Sequence, residues 1–281
     1  MEVLAKEVLA PKIVKLVVKA PGIAAKAQPG HFVVVRLNEQ AERIPLTIAD
    51  YDRNQGTITL VIQEVGKSTA MINRLEPGDF FADILGPLGT PYPIGKIGTV
   101  VGVAGGLGAA PLYPKVKALR EAGNKVIIIL GAQRRELLIL MDELKAVSDQ
   151  FIVATDDGSF GVHGLVTEPL REILSKEKVD EVIAIGPVPM MDACVKVTKE
   201  FKVKTVVSLN AVMVDGTGMC GGCRVTVGGQ SKFCCVDGPS FDGWAVDFAE
   251  LRQRQRYYSE QEKRAYQDYQ EGMEGCRCRA K

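Results

Sequence analysis

The sequence predicts a β-barrel domain, followed by an α/β domain with a parallel sheet and then a small cysteine-rich module. Three observations support this fold class. Short strand-like segments separated by turns fill the first third, apolar strands alternate with helices in the middle, and glycines and cysteines interrupt that alternation after residue 208. The predicted boundaries are 1–94 for the barrel, 95–208 for the α/β domain, 209–249 for the module and 250–281 for a C-terminal tail that docks onto a partner.

The barrel is predicted from segments that are short and rich in β-branched or aromatic residues, with turn residues between them. Its predicted strands are 12–19, 31–37, 57–64 and 79–85, and one helix is predicted from Ser68 to Leu75.

The α/β domain is predicted from continuous apolar strands with intervening helices, a pattern typical of a doubly wound parallel sheet. The charged segment 250–274, with its interleaved tyrosines, predicts a surface helix. The predicted strands are 98–104, 125–131, 150–155, 181–186 and 204–208, and the predicted helices are 110–122, 135–146, 164–175 and 189–201.

The composition is that of an ordinary globular protein. Of 281 residues, 46% are hydrophobic and 25% are charged, and the formal net charge is +1. This near-neutral balance gives no support to a nucleic-acid partner. The run 97–114 is uncharged and about as long as a membrane span, but its glycines indicate a strand and a turn, so we expect no membrane association.

The seven cysteines are unevenly placed: four cluster between residues 220 and 235, and Cys276 and Cys278 lie in the tail. Lys6 and Lys12 interrupt the only apolar stretch near the first residue, which therefore does not resemble a secretion signal. An odd number of cysteines under these conditions argues against a disulfide framework and favours a metal or cluster site. We expect a cytoplasmic protein.

A glycine-rich turn follows the first predicted strand of the α/β domain. Gly105, Gly106 and Gly108 would let the backbone approach a pyrophosphate, and the next helix would offer free N–H groups to its charge. A tight structural turn is the alternative, although the strand–turn–helix context favours nucleotide binding.

A second candidate for phosphate binding lies in the barrel, where the sequence RIPLTI begins at Arg43 and GKST begins at Gly66. A cation, a hydroxyl and a helix N-terminus could together hold a pyrophosphate. From these residues alone, a solvated Arg43 and an ordinary helix cap at Ser68 explain the pattern better than a cofactor site does.

The cysteine cluster carries the most specific spacing. Plant-type [2Fe–2S] proteins use C-x4-C-x2-C with a distant fourth cysteine. This chain has D-x4-C-x2-C, from Asp215 through Cys220 to Cys223, and the intervening glycines suit a loop that wraps a cluster. A tetrahedral zinc site remains the alternative.

The fourth ligand is either Cys234 or Cys235, because adjacent residues rarely direct both side chains into one small cluster. We predict Asp215, Cys220, Cys223 and Cys235 as the ligands. No other catalytic residues are predicted, since in hydride chemistry the cofactors carry the reaction.

These motifs occur in an order that resembles the ferredoxin-NADP reductase-like flavoproteins, in particular their branch with a C-terminal [2Fe–2S] module. RIPLT, GKST, GPLGTP, GGLGAAP and the cysteines follow one another over residues 1 to about 249. The segments GAQRRELL, TDDGSFG and GPVPMM carry the most specific resemblance. The resemblance implies a β-barrel FAD domain, an α/β parallel-sheet NAD-binding domain and a [2Fe–2S] module.

The resemblance also implies individual cofactor positions. The arginine of the family stands three residues before the hydroxyl, whereas here Ile44 occupies that place and Arg43 precedes it. The implied FAD positions are Arg43, Pro45, Leu46 and Thr47, with Gly66, Lys67, Ser68 and Thr69 at its pyrophosphate. The implied NAD(P) positions are Gly105, Gly106 and Gly108 at the phosphates and Asp156, Asp157 and Gly158 at the nicotinamide ribose.

The implied activity is an oxidoreductase subunit that passes electrons between NAD(H), FAD and the cluster to a large flavin and iron–sulfur subunit, with ferredoxin reached indirectly. Asp215 and the charged tail resemble the subunits of electron-bifurcating ferredoxin:NADP oxidoreductases. The subunits of dihydroorotate dehydrogenase, the alternative, carry cysteine at that place. Arg134 and Arg135 leave NADP(H) possible. Two other hypotheses are a flavin-free nucleotide-binding regulator with a zinc knuckle and a self-sufficient reductase.

Overall fold

The computed structural model describes the backbone of residues 1–279 and the side chains of residues 1–272. This part of the chain forms a six-stranded sheet, a seven-stranded sheet and a two-stranded hairpin, in the order that the sequence predicts. The predicted fold class is confirmed.

The six-stranded sheet is antiparallel and forms the barrel around an aliphatic core that includes Leu16, Ile48 and Leu60. The backbone N–H of Val3 donates to the carbonyl of Asp79 at 2.8 Å. The first strand of the barrel therefore contacts the segment that leads into its last strand. The strands are β1 (Val3–Ala10), β2 (Ile13–Lys19), β3 (Phe32–Arg36), β4 (Arg43–Asp52), β5 (Thr57–Gln63) and β6 (Asp83–Leu88), and the helices are α1 (Pro21–Ala24) and α2 (Lys67–Ile72).

Strands β1 and β4 have no counterpart among the predicted strands 12–19, 31–37, 57–64 and 79–85. Strand β1 lies at the edge of its sheet. Only its ends, Val3 and Ala10, are buried, and exposed residues such as Glu7 lie between them. An edge strand of this kind lacks the apolar alternation that identifies a half-buried strand. The sixth strand also begins at Asp83, four residues later than predicted.

The seven-stranded sheet carries the α/β domain. The strands in it are β7 (Thr99–Gly105), β8 (Lys125–Ala132), β9 (Gln150–Thr155), β10 (Val162–His163), β11 (Glu181–Ile185) and β12 (Thr205–Ser208), and its helices are α3 (Ala109–Glu121), α4 (Met141–Ala146), α5 (Thr167–Lys176) and α6 (Val188–Glu200). Strands β8 and β11 pair with β7 on opposite sides, in parallel. In such sheets, ligands bind at the carboxyl ends of the strands where the order reverses, here beside β7.

The predicted helix 135–146 is wrong in its first half. Residues 135–137 form a single 3₁₀ turn, and helix α4 begins only at Met141. Leu140 between them has a left-handed φ of 54°, which breaks the helix. The other predicted elements of this domain have counterparts in the structure.

The cysteine-rich segment is tied to the large sheet. It contains a hairpin of β13 (Arg224–Val227) and β14 (Gln230–Phe233), and β15 (Ser240–Asp242) pairs antiparallel with β12. The domain boundaries themselves stay predictions.

The tail forms two helices, α7 (Phe248–Gln255) and α8 (Ser259–Arg279), in place of the one predicted. Leu251 of α7 is buried in the core, while α8 packs against α2. The tyrosines Tyr266 and Tyr269 of α8 contact the barrel, the second with its ring centroid 5.2 Å from the Arg74 guanidinium. Cys276 and Cys278 lie outside the described side chains. None of the described helices has both the length and the apolar character that crossing a membrane requires.

Candidate cofactor and iron–sulfur site

A cavity of about 990 Å³ opens between the barrel and the carboxyl ends of the strands in the large sheet. Segments from all three predicted units line it. The barrel contributes Phe32 and residues 45–47, and the α/β domain contributes residues 105–108 and Asp156. The end of β12 and the segment after it contribute residues 208–211.

Three of the predicted FAD positions, Pro45, Leu46 and Thr47, lie in this cavity. Strand β4 pairs antiparallel with β3, and Thr47 lies opposite Phe32 in that register. Arg43 is exposed at the start of β4 and does not line the cavity. The structure therefore brings the strand, but not its arginine, to the site.

The predicted pyrophosphate positions Gly66, Lys67, Ser68 and Thr69 lie outside the cavity. Thr69 caps its own helix, since its hydroxyl oxygen accepts the N–H groups of Val65 at 2.9 Å and Gly66 at 3.0 Å. The Ser68 hydroxyl donates to Glu42, and Lys67 lies beside Asp268 and Tyr269 of α8. Their role at a pyrophosphate stays a prediction.

The glycine turn occupies the end of β7 and the start of α3, in the wall of the cavity. A Cβ atom on Gly108 would lie 2.1 Å from the carbonyl oxygen of Ile185, so only glycine allows the turn to approach β11. Gly106 has a φ of +53° and open space where its Cβ would be. A backbone surface of this kind, at a helix N-terminus, fits the pyrophosphate of a dinucleotide.

Of the predicted ribose positions, Asp156 lines the cavity and Asp157 and Gly158 do not. The Asp157 carboxylate accepts the backbone N–H and the hydroxyl of Ser159 at 2.9 and 2.6 Å. These bonds lower the pKa of Asp157 and hold the turn in place.

The predicted cluster ligands lie on one loop and at the end of the hairpin. Gly216, Gly218 and Gly221 all have positive φ values, between 67° and 84°, which the curvature of the loop requires. The loop also leaves Cys220 exposed and Cys223 buried.

The structure brings two of the predicted ligand sulfurs together. The sulfurs of Cys223 and Cys235 are 3.2 Å apart, close to the roughly 3.7 Å that separates two thiolates on one tetrahedral metal ion. The Asp215 carboxylate accepts the backbone N–H groups of Thr217 and Cys220, each at 2.9 Å, so it contacts the backbone of Cys220 and not its sulfur. Among the described residues, no three such donors converge on one point.

Cys234 differs from Cys235 in its surroundings. Both side chains are buried and burial raises the pKa of both thiols, but the backbone N–H of Cys234 donates to the carbonyl of Cys223. The sulfur of Cys235, by contrast, contacts the sulfur of Cys223. The geometry supports Cys235 as the ligand, and the choice stays a prediction.

Some cavity residues were missed by sequence reasoning. Lys115 of α3 and Ser208 at the end of β12 both line the cavity, and both are buried. A signal existed for the first: Lys115 lies among Leu112, Val116 and Leu119 on the apolar face of its helix, where a charge is unexpected. For Ser208 there was none, because its place depends on pairing with β15.

Two family models match the chain. The oxidoreductase NAD-binding domain matches residues 103–196, which contain the glycine turn. The iron–sulfur cluster binding domain of dihydroorotate dehydrogenase B matches residues 210–247, which contain all the predicted ligands. The second match favours an iron–sulfur cluster over zinc.

A relative from Thermotoga maritima, a dihydroorotate dehydrogenase B (NAD(+)) electron transfer subunit homolog, is 46% identical over 268 residues, 95% of each chain. This chain belongs to the electron-transfer subunit family of dihydroorotate dehydrogenase B. Another member of this electron-transfer subunit family, from Desulforamulus reducens, is 34% identical over 87% of this chain and 96% of its own. A chain from the structure of NADH-dependent reduced ferredoxin-NADP oxidoreductase, solved to study flavin-based electron bifurcation, is 46% identical with a TM-score of 0.91, over 95% of this chain and 97% of that one.

Membership in the electron-transfer subunit family confirms the predicted resemblance and the oxidoreductase class. The predicted cofactors, FAD, a [2Fe–2S] cluster and NAD(H), are likewise confirmed. Because the relatives are electron-transfer subunits, a larger partner subunit is implied.

Proposed function

We propose that this chain passes electrons between NAD(H), FAD and a [2Fe–2S] cluster to a large partner subunit in an electron-bifurcating ferredoxin:NADP oxidoreductase. One observation carries the proposal: the glycine turn, the Pro45–Thr47 segment and Ala211, which lies just before the cluster loop, line one cavity. The predicted cluster ligands do not themselves line this cavity, so NAD(H) and FAD would meet within it and the cluster would lie beside it.

Bound FAD would supply the chemistry, because a flavin accepts two electrons together and can release them singly. The residues of the chain itself would bind and orient the cofactors. The backbone of Gly105–Gly108 would hold the dinucleotide, Pro45, Leu46 and Thr47 would face the flavin, and the loop 215–223 would hold the cluster. The pairing of β15 with β12 fixes the distance between sheet and cluster loop.

Electrons leave through the surface around the cluster loop, and the large flavin and iron–sulfur subunit receives them there. Met219, Val214 and Val236 are exposed beside the ligands, the first at 89%. Apolar side chains presented around a redox centre suit a protein partner. Ferredoxin would be reached only through that partner, and a cytoplasmic location would keep the cysteine ligands reduced.

The absorption spectrum of the purified protein tests the proposal, together with chromatography of what it releases on denaturation. We expect flavin and iron–sulfur bands and free FAD in the supernatant. A colourless protein would support the zinc-containing regulator, and release of FMN alone would contradict the assigned flavin.

The second candidate is the electron-transfer subunit of dihydroorotate dehydrogenase itself, which the names of several relatives favour. Asp215 in place of a cysteine favours the bifurcating enzyme. Copurification separates the two, since only a dihydroorotate dehydrogenase partner would give the complex dihydroorotate oxidation. A chain that reduces ferredoxin at full rate with no partner would instead be a self-sufficient reductase.

The tail offers a test of the partner surface. Tyr257 and Tyr258, between α7 and α8, are 60% and 55% exposed, whereas Tyr266 and Tyr269 are engaged with the barrel. Replacing Tyr257 and Tyr258 with serine should weaken binding of the large subunit by roughly tenfold, a value common for interface tyrosines. Titration with the purified large subunit measures this affinity, and the FAD content should not change.

Phe80→Ser, at 61% exposure on the barrel, is the matched control. Equal affinities for all three proteins would show that the tail does not dock.

A further inference from the structure

Lys115 is a buried cation in the wall of the cofactor cavity. Its side chain is 1% exposed, and its ammonium group donates to the hydroxyl oxygens of Ser208 and, at 2.9 Å, Ser240. The centroid of the Tyr92 ring lies 5.4 Å from its Nζ atom. A lysine held by neutral groups alone is uncommon in a protein interior.

No carboxylate of the described residues lies within 4.0 Å of the Lys115 Nζ atom. Glu181, which accepts a hydrogen bond from the Tyr92 hydroxyl, is paired with Lys204. A buried charge without a partner is unfavourable, and burial accordingly lowers the pKa of Lys115 to about 7. The missing negative charge can come from whatever fills the cavity.

The position of Lys115 on its helix indicates which part of a ligand it meets. Seven positions separate Lys115 from Gly108, a rise of roughly 10 Å along a helix, and its ammonium group is held by Ser208 and Ser240 rather than by the glycine turn. Its Cε atom instead lies 3.6 Å from where a Cβ on Gly30 would be, in the same wall as Phe32. This is the barrel side, where Thr47 pairs with Phe32 and the flavin is expected.

We propose that Lys115 lies beside the flavin ring and, in its protonated form, offsets the negative charge that the ring gains on reduction. The inference rests on the proposed function. Hydride transfer from NADH brings two electrons and one proton to the ring and releases NAD⁺, so the ring keeps one negative charge until a second proton arrives. An ammonium group held by two hydroxyls stabilises the reduced ring more than the neutral oxidised ring, which raises the flavin potential.

The test is the midpoint potential of the flavin in Lys115→Met, measured by anaerobic titration of the FAD-loaded protein with indicator dyes. A hydrogen-bonded charge of this kind is worth roughly tenfold in the affinity for the reduced ring over the oxidised one. For a two-electron couple that corresponds to a potential about 30 mV more negative. The cluster potential and the binding of oxidised FAD should change much less, and Lys115→Arg should keep the potential near that of the wild type.

Lys117→Met is the matched control, because Lys117 lies on the same helix but pairs with Asp50 at 3.2 Å and does not line the cavity. If Lys115→Met does not fold, the double variant Ser208→Ala and Ser240→Ala can replace it. This variant removes both hydroxyl partners of the ammonium group and should also make the flavin potential more negative. A wild-type potential in whichever of these variants folds would overturn the proposal. The proposal would also be overturned if Lys115→Met bound ADP-ribose more weakly while its flavin potential was unchanged, because Lys115 would then lie at a pyrophosphate. A wild-type protein without FAD would instead refute the proposed function.

Discussion

Gly106→Ala should slow the reduction of bound FAD by NADH by about 100-fold, a loss typical of a misplaced reactant, while the flavin and the cluster remain bound. Gly106 lines the cavity at the glycine turn, and no atom lies within 4 Å of where its Cβ would be. The added methyl group therefore does not disturb packing within the chain. It would occupy the space in which the backbone N–H groups meet the pyrophosphate.

Backbone strain alone could mimic this effect, because Gly106 has a φ of +53° and alanine disfavours that conformation by about 1 kcal/mol. Gly123→Ala is the matched control. Gly123 has a φ of +83° and equally open surroundings, but it lies beyond the end of α3 and outside the cavity. Both variants should lose similar stability in thermal unfolding.

Anaerobic stopped-flow measurement of flavin bleaching separates the two causes. Only Gly106→Ala should be slow, and high NADH concentrations should restore part of its rate. Equal rates of flavin reduction in Gly106→Ala and Gly123→Ala would show that the glycine turn is not part of the NADH site. Gly108→Ala would be a poor choice, since its Cβ would meet the Ile185 carbonyl oxygen at 2.1 Å and disturb the sheet itself.

Local pattern predicted most of this fold because the parallel strands are continuous apolar runs. Strands β7, β8, β9, β11 and β12 lie within one residue of their predicted positions. The glycine turn and Pro45–Thr47 could be predicted as site residues because motif and context coincide.

What could not be predicted depends on contacts between distant segments. The place of Ser208 in the cavity requires β15 to return to the edge of the sheet. Similarly, no spacing of residues in the sequence indicates that α8 lies against the barrel, or that Lys67 of the barrel faces α8. The break at Leu140 is a further case, since nothing in a leucine signals a left-handed φ.

Cluster loss is the other large effect that we expect, in Cys235→Ala. Its sulfur lies 3.2 Å from that of Cys223, so alanine would leave one iron with a single protein ligand. Cys234→Ala should keep a cluster, with a loss of stability of about 1 kcal/mol from the small cavity that it creates. The ratio of iron to protein and the visible spectrum, measured after anaerobic reconstitution, distinguish the neighbours, which makes each variant the control for the other.

Asp215 gives the sharpest test of the ligand set. The backbone N–H groups of Thr217 and Cys220 donate to the two oxygens of the Asp215 carboxylate and hold its pKa below the usual range. An oxygen ligand is harder than a thiolate and changes the potential of the cluster.

Asp215→Cys should therefore retain a [2Fe–2S] cluster with a shifted potential and an altered paramagnetic-resonance signal, whereas Asp215→Ala should bind the cluster weakly. The alternative is that Asp215 only stabilises the loop, through its bonds to the N–H groups of Thr217 and Cys220, and that Cys234 is the fourth ligand. Asp215→Asn tests the ligand role while keeping part of the loop role, because its amide oxygen can still accept one of the two backbone N–H groups but is a poor iron ligand. A stable cluster with an unaltered signal in Asp215→Asn, together with cluster loss in Cys234→Ala, would establish a four-cysteine site in which aspartate has no part.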